Sequence, residues 1–163
     1  MSLEIIILAA GQGTRMHSAV PKVLHRIAHL PLLEHVYRLA ISLGADKTSI
    51  IYGHGGDQVQ SELAHLNVNW VEQRERLGTG HAVQQMADGI GSESTVLILY
   101  GDVPLLKKDT VETLLSLAEK GALGVLTVTL DDPTGYGRII RNEAGEVLRI
   151  VEEKDCSSAE RLI

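Results

Sequence analysis

Cysteine and aromatic residues are nearly missing from this chain. Of its 163 residues one is a cysteine, Cys156, none is a phenylalanine, and aromatics make up 3%. A single thiol excludes an internal disulfide framework and fits a reducing compartment. Cys156, next to a polar tail, reads as a bystander. So few rings exclude the base-stacking platforms of single-strand-binding proteins. A basic excess is missing too: the formal net charge is -6 and the pI about 5.6. No broad nucleic-acid footprint, and so no nucleic-acid partner, is expected. An anionic ligand would need local cations or a metal against that field. Long apolar runs are absent as well. Ile5–Ala10 is too short to span a membrane, and acidic Glu4 stands where a signal peptide carries positive charge. A cytoplasmic protein with no membrane partner is expected. There is no internal repeat, linker or low-complexity segment, and the length suits one domain with a real core.

The richest stretch is residues 5–22, IIILAAGQGTRMHSAVPK. An apolar strand runs into a glycine turn followed by Arg15 and Lys22. Glycines at 11 and 13 permit close backbone approach and positive φ, and successive N–H groups in such a turn form an anion-binding concavity. Two familiar phosphate-binding spacings fail. Counting on from Gly11, a Walker loop would need its second glycine at Met16 and its lysine at His17. A dinucleotide fingerprint would also need glycine at Met16, where close helix–strand packing requires it.

Strands and helices alternate along the chain. Ile5–Leu8 is expected as a buried strand, followed by a helix whose apolar residues Leu32, Leu33, Val36, Leu39, Ala40 and Leu43 recur with helical period between Pro31 and Gly44. Strands are expected at Ser49–Tyr52, Val68–Val71, Thr95–Tyr100 and Leu123–Leu130, and helices at Asp57–Leu66, Gly80–Ala87 and from a capping box at Asp109 and Glu112 to near Gly121. Arg138–Arg141 and Val147–Glu152 flank the turn Asn142-Glu143-Ala144-Gly145 and predict a hairpin. The repeating pattern predicts an α/β fold, a Rossmann-like three-layer sandwich with a mostly parallel sheet. Ligands on such sheets bind beyond the carboxyl ends of the strands. The glycine loop, Gln73–Gly80 and Tyr100–Asp102 all follow predicted strands and converge there.

Further segments complete the pattern: Gln73 before LGTGHA (Leu77–Ala82), YGDVPL from Tyr100, DDPTGYGRI from Asp131, and IVEEK ending the hairpin. Together with LAAGQGTRM and PKVL they resemble the sugar-nucleotide pyrophosphorylases over essentially all 163 residues. Within that family the chain is similar to the bacterial bifunctional type, whose uridylyltransferase half precedes an acetyltransferase half.

The resemblance implies nucleotidyl transfer from UTP to N-acetylglucosamine 1-phosphate, giving UDP-N-acetylglucosamine and pyrophosphate for peptidoglycan and lipopolysaccharide precursors. It places UTP over Leu8, Ala9, Ala10 and Gly11, with the phosphates wrapped by Gly13-Thr14-Arg15. Arg15 is then a bidentate clamp for pyrophosphate and Lys22 a point charge on the phosphates. Gln73 offers a donor and an acceptor to the uracil imide edge, and Gly78 and Thr79 complete base recognition. Asp102, ending a core strand, is expected to hold Mg²⁺, which usually takes one or two carboxylates plus phosphates and water; Tyr100 and Gly101 line the same site. The sugar half falls to Gly137 and Glu152, with Glu153 a near neighbour. Arg15, Lys22 and Asp102 are the expected catalytic set. Another base or sugar specificity, or nucleotide binding without turnover, stays open. The family's site also draws on an Asn-Thr-Gly segment and a later asparagine after position 163. Residues 1–163 are therefore expected to be an N-terminal uridylyltransferase domain, incomplete at its C-terminal end. The β-helical acetyltransferase domain, through which the resemblance implies that the parent forms a homotrimer, is expected to be absent from these residues.

The remaining candidates carry less. His25 and His29 lie in the loop before Pro31, without the acidic partner of a zinc-helix motif. His81 is expected to brace its loop or the ligand.

Overall fold

The computed structural model describes residues 2–11, 13, 16–53, 55–75, 77–118 and 121–163. The chain divides into two compact units, Met1–Val125 and Leu126–Ile163.

In the first unit, strands β1 (Leu3–Ala9), β4 (Lys47–Tyr52), β5 (Asn69–Glu72) and β6 (Thr95–Tyr100) form a parallel sheet in the order β5-β4-β1-β6. Chain order moves outward from β1 on one side and then returns to its other side with β6. That reversal makes the β1–β6 boundary the switch point at which α/β sheets open a crevice. β1 pairs on both edges, Ile7 lying opposite Ile50 and Leu99.

Alternation along β1 explains the three layers, because successive side chains point to opposite faces. Ile5 and Ile7 pack with Leu33, Val36, Ile50, Val59, Leu63, Leu97, Leu99 and Val111 on one face. There lie helices α1 (Leu32–Ser42), α2 (Gly56–Glu62) and α4 (Lys108–Ala118). Ile6 and Leu8 pack with Ile51, Ala82 and Met86 on the other, under α3 (Thr79–Gln84). With both faces covered, β1 reads as an unbroken apolar run, as buried parallel strands do. Between β1 and α1 the chain makes a 3₁₀ turn at Lys22–Leu24 and a tiny antiparallel ribbon, β2 (Arg26–Ile27) and β3 (Leu30–Pro31). Ala28 and His29 at its tip have positive φ, 47° and 70°.

α1 opens at Pro31 and stops at Gly44, which turns to φ +76°, as the periodicity predicts. α2 is shorter than expected, ending at Glu62 rather than Leu66. Asp109 falls inside the first turn of α4, not at its cap, and Glu112 pairs instead with Lys108 at 3.4 Å. The strand expected at Leu123–Leu130 does not form: residues 122–130 are irregular, with Leu123 and Val128 largely exposed. Strand propensity is mostly the gain from packing on a pleated surface, and no described strand pairs with this run.

In the second unit, β7 (Arg138–Arg141) and β8 (Val147–Val151) form the expected antiparallel hairpin. Its turn closes through the Gly145 N–H donating to the Asn142 carbonyl at 2.9 Å, with Gly145 at φ +83°.

Candidate active site

In a parallel sheet all carboxyl ends point one way, so the segments after β1, β5 and β6 meet at one edge. They line a cavity of about 310 Å³ whose walls are Leu8, Ala9, Ala10, Gly11, Lys22, Val23, Gln73, Gly78, Thr79, Ala82, Tyr100 and Asp102. Ten of these are residues the sequence singled out. Val23 and Ala82 were not named as site residues, although they lie inside the quoted motifs PKVL and LGTGHA, and their apolar walls follow from the same segments.

Lys22 and Asp102, eighty residues apart in sequence, are joined across the cavity. The ammonium Nζ donates to Asp102 Oδ2 at 2.5 Å, and both side chains are partly open to solvent. Asp102 gets there because β6 ends at Tyr100 and Gly101 then donates its N–H to the Leu8 carbonyl at 2.9 Å, tying the turn to β1. Lys22 gets there through the 3₁₀ turn, which buries Val23 and Leu24 against the core. The cation expected on phosphate and the carboxylate expected on metal thus pair with each other.

Two of the expected glycines act behind the wall and do not line it. A Cβ on Gly13, which has φ +60°, would sit 2.7 Å from Lys22 Cβ; on Gly101 it would sit 3.0 Å from Leu33 Cδ1. Gly13 makes room for the Lys22 stem, and Gly101 lets the Asp102 turn close onto the core. Arg15, with Gln12 and Thr14, lies outside the described residues.

Gln73 continues β5 by donating its backbone N–H to the Tyr52 carbonyl at 2.8 Å. Its side chain is buried, 5% exposed. The amide nitrogen Nε2 donates to the Gly78 carbonyl at 3.0 Å and lies 3.1 Å from His81 Nδ1. The donor half of this amide is therefore taken up inside the protein. Gly78 itself stands at φ +103°, ψ −178°, a conformation that favours glycine, and α3 starts at the next residue, Thr79.

The two expected sugar contacts belong to the second unit. Gly137 precedes β7, and a Cβ there would lie 3.3 Å from the Val151 carbonyl. Of the two adjacent carboxylates, Glu153 accepts the Gly135 N–H at 2.5 Å and stands 4.0 Å from Arg138. Glu152 is exposed and makes no such contact among the described residues. Arg138 is buried and donates to the Pro133 carbonyl at 2.9 Å and to the Tyr136 carbonyl, fixing the Pro133–Gly137 turn. No cluster of three or more His, Cys, Asp or Glu able to enclose a metal occurs among the described residues. His25 and His29 do not join any.

A family model for the MobA-like NTP transferase domain matches residues 5–159. The chain belongs to this family. It is a nucleotidyltransferase domain, and its cavity lies beyond the carboxyl ends of β1 and β6, at the switch point of the sheet. Among curated proteins it is 63% identical over 163 residues to "Bifunctional protein GlmU" of Methylococcus capsulatus, covering 100% of this chain and 35% of that one. It is 53% identical over 163 residues to the protein of the same name from Idiomarina loihiensis, covering 36% of it. The chain thus spans about a third of the length of these relatives. Among solved structures, a nucleotidyl transferase from Methanothermobacter thermautotroptrophicus aligns with TM-score 0.62 at 20% identity, over 71% of this chain and 57% of that one. A Mycobacterium tuberculosis protein solved as a manganese complex aligns with TM-score 0.62 at 17% identity, over 74% and 61%. At such identities these two likenesses carry the fold alone. No helix among the described residues is long and apolar enough to cross a membrane.

Proposed function

We propose that this NTP transferase domain moves the uridylyl group of UTP onto N-acetylglucosamine 1-phosphate, giving UDP-N-acetylglucosamine and pyrophosphate, in the cytoplasm and toward cell-envelope precursors. The observation that carries this reading is the convergence of Gln73, Gly78 and Thr79 with Lys22 and Asp102 on one cavity, in a chain 63% identical to a GlmU protein. The first three suit a base; the last two suit a polyphosphate and its counter-ion.

The donor set fits Mg²⁺. A single partly exposed carboxylate, Asp102, faces a cavity large enough for phosphates and water, and magnesium uses just such a mixture of one or two carboxylates with phosphate oxygens. A closed zinc-type site would need a cluster that the described residues lack. Bound at Asp102, the ion would supply neutralisation of charge on the α-phosphate as it is attacked.

The chain's own residues do the rest. Backbone groups of Leu8–Gly11 hold the nucleoside, and the Gly13 turn with Lys22 holds the triphosphate. A phosphate oxygen of the sugar 1-phosphate forms the new bond to the α-phosphorus, and the bond from that phosphorus to the β-phosphate bridging oxygen breaks, releasing pyrophosphate. The nucleophile is already an anion, so no general base is needed. Rate comes from positioning and charge neutralisation by Lys22, Asp102 and Arg15. Gly137 and Glu152 are assigned to the hexose, Glu152 because Glu153 is occupied by the Gly135 turn. In a longer parent the acetyltransferase half would add trimerisation.

A second reading has its own support: the chain spans only 35% of its relative's length, so it could hold nucleotide without turning it over. Pyrophosphate release with Mg²⁺, across several triphosphates and several sugar 1-phosphates, separates the two. Release that needs UTP and N-acetylglucosamine 1-phosphate establishes the transfer. UTP binding with no release establishes the binding domain.

A further inference from the structure

Gln73 is buried, yet half of its amide has no partner among the described residues. Nε2 has two protons and two neighbours, the Gly78 carbonyl at 3.0 Å and His81 Nδ1 at 3.1 Å. A carbonyl can only accept, so the Gly78 contact fixes which end of the amide is nitrogen. The second proton is directed at His81 Nδ1, a contact made in the tautomer that leaves Nδ1 unprotonated and carries the proton on Nε2. Gln85, one turn further on, donates its Nε2 to the His81 carbonyl at 3.0 Å, so in this tautomer its 3.2 Å approach to His81 Nε2 brings two donors together and is not a hydrogen bond to the ring. What remains of Gln73 for a ligand in the cavity it lines is Oε1, an acceptor.

We infer that His81 is a positioning residue for base selection: with the Gly78 carbonyl it locks the Gln73 amide so that only the oxygen is offered to the base. An acceptor at that place favours a base with a ring N–H donor, as in uracil. It disfavours cytosine, whose corresponding nitrogen is itself an acceptor, because two acceptors then face each other in a partly desolvated site. Without His81, the amide keeps one of its two anchors and can present either end. This rests on the uridine-nucleotide reading given above and deepens it by naming what sets the base preference.

The test is equilibrium binding of UTP and CTP to the intact chain, which needs no turnover. Wild type is expected to bind UTP more tightly. His81→Ala is expected to narrow the UTP-over-CTP preference by about three- to tenfold, the worth of one neutral hydrogen bond, by weakening UTP and strengthening CTP. His81→Asn, whose side-chain oxygen can accept from Gln73, is expected to restore most of the preference; a residue with a merely structural role would not be rescued in this way. In NMR spectra the Gln73 side-chain NH₂ pair is expected to shift in His81→Ala and to stay near its wild-type position in His81→Asn. An unchanged preference in a folded His81→Ala protein overturns the assignment to His81 while leaving the uridine reading intact. Equal binding of UTP and CTP by wild type overturns both. Should His81→Ala fail to fold, a His81→Asn protein that loses the preference overturns the inference.

Discussion

Lys22 Nζ stands 2.5 Å from Asp102 Oδ2, in the wall of a cavity whose ligand is expected to need both groups for other purposes. The pair keeps opposite charges matched at the cavity wall; under the proposed function a polyphosphate and its counter-ion would separate them. Partly exposed pairs of this kind contribute about 0–1 kcal/mol to stability, so the pair is easily exchanged.

Asp102→Ala should therefore leave the fold nearly intact, with unfolding changed by less than about 1 kcal/mol, while abolishing most metal-dependent pyrophosphate release. Chemical denaturation and a release assay on the same preparation check both halves. Retained Mg²⁺-dependent turnover would remove Asp102 from the site.

Gly13→Ala tests whether the glycine loop works through Lys22. The new methyl would lie 2.7 Å from Lys22 Cβ, in a backbone at φ +60°, and a non-glycine residue there costs about 1–2 kcal/mol. Lys22 should be displaced and UTP affinity should fall at least severalfold. Titration of the variant against UTP decides it; wild-type affinity would mean the loop adapts freely.

Glu4 predicts an acid limit. Its buried carboxylate accepts from Ser94 Oγ at 2.6 Å and the Gly91 N–H at 2.8 Å, with Lys47 3.6 Å away. The Ser94 hydroxyl first, then Gly91 and Lys47, hold its pKa below the ordinary 4.5. A depressed folded pKa means the stabilisation is complete above 4.5 and is lost as pH falls through the lower folded value. Wild type should lose stability below about pH 4.5, and Glu4→Gln should start about 1 kcal/mol less stable at pH 7 with a shallower acid slope. Denaturation midpoints measured from pH 7 down to pH 3 test this, and identical slopes would contradict it.

Gly56→Ala probes the ring pair beneath α2. A Cβ there would come within 2.1 Å of Tyr52 Cδ2, and Tyr52 packs edge-on against Trp70 with centroids 6.2 Å apart. Overpacking of this kind costs about 1–3 kcal/mol. Trp70 is the chain's only tryptophan, so a shift in its fluorescence together with a lower melting temperature is expected. An unperturbed spectrum would show that Tyr52 can swing away without cost.

Much of the architecture was legible before folding. The apolar run from Ile5, the helical period between Pro31 and Gly44 and the strand at Thr95–Tyr100 carry their own signals, because burial on two faces or one stripe dictates residue type. The run at Leu123–Leu130 carries the same signal and stays irregular, since a strand needs a pairing partner that periodicity cannot supply. Ten cavity residues were legible because motifs cluster at the ends of parallel strands. The backing roles of Gly13 and Gly101 were not, being matters of a neighbour's Cβ or Cδ1 within 3 Å.

By itself the sequence determined that a glycine loop, a buried-strand aspartate and a loop glutamine would share one edge, since parallel strands all end on the same side. Only the tertiary structure decided how those groups are partnered. It closed Lys22 on Asp102 and turned the Gln73 nitrogen inward to Gly78 and His81. It also engaged Glu153 with Gly135, leaving Glu152 exposed. Partnering depends on distances of about 3 Å between residues far apart in sequence, and residue order alone does not encode those distances in any readable period.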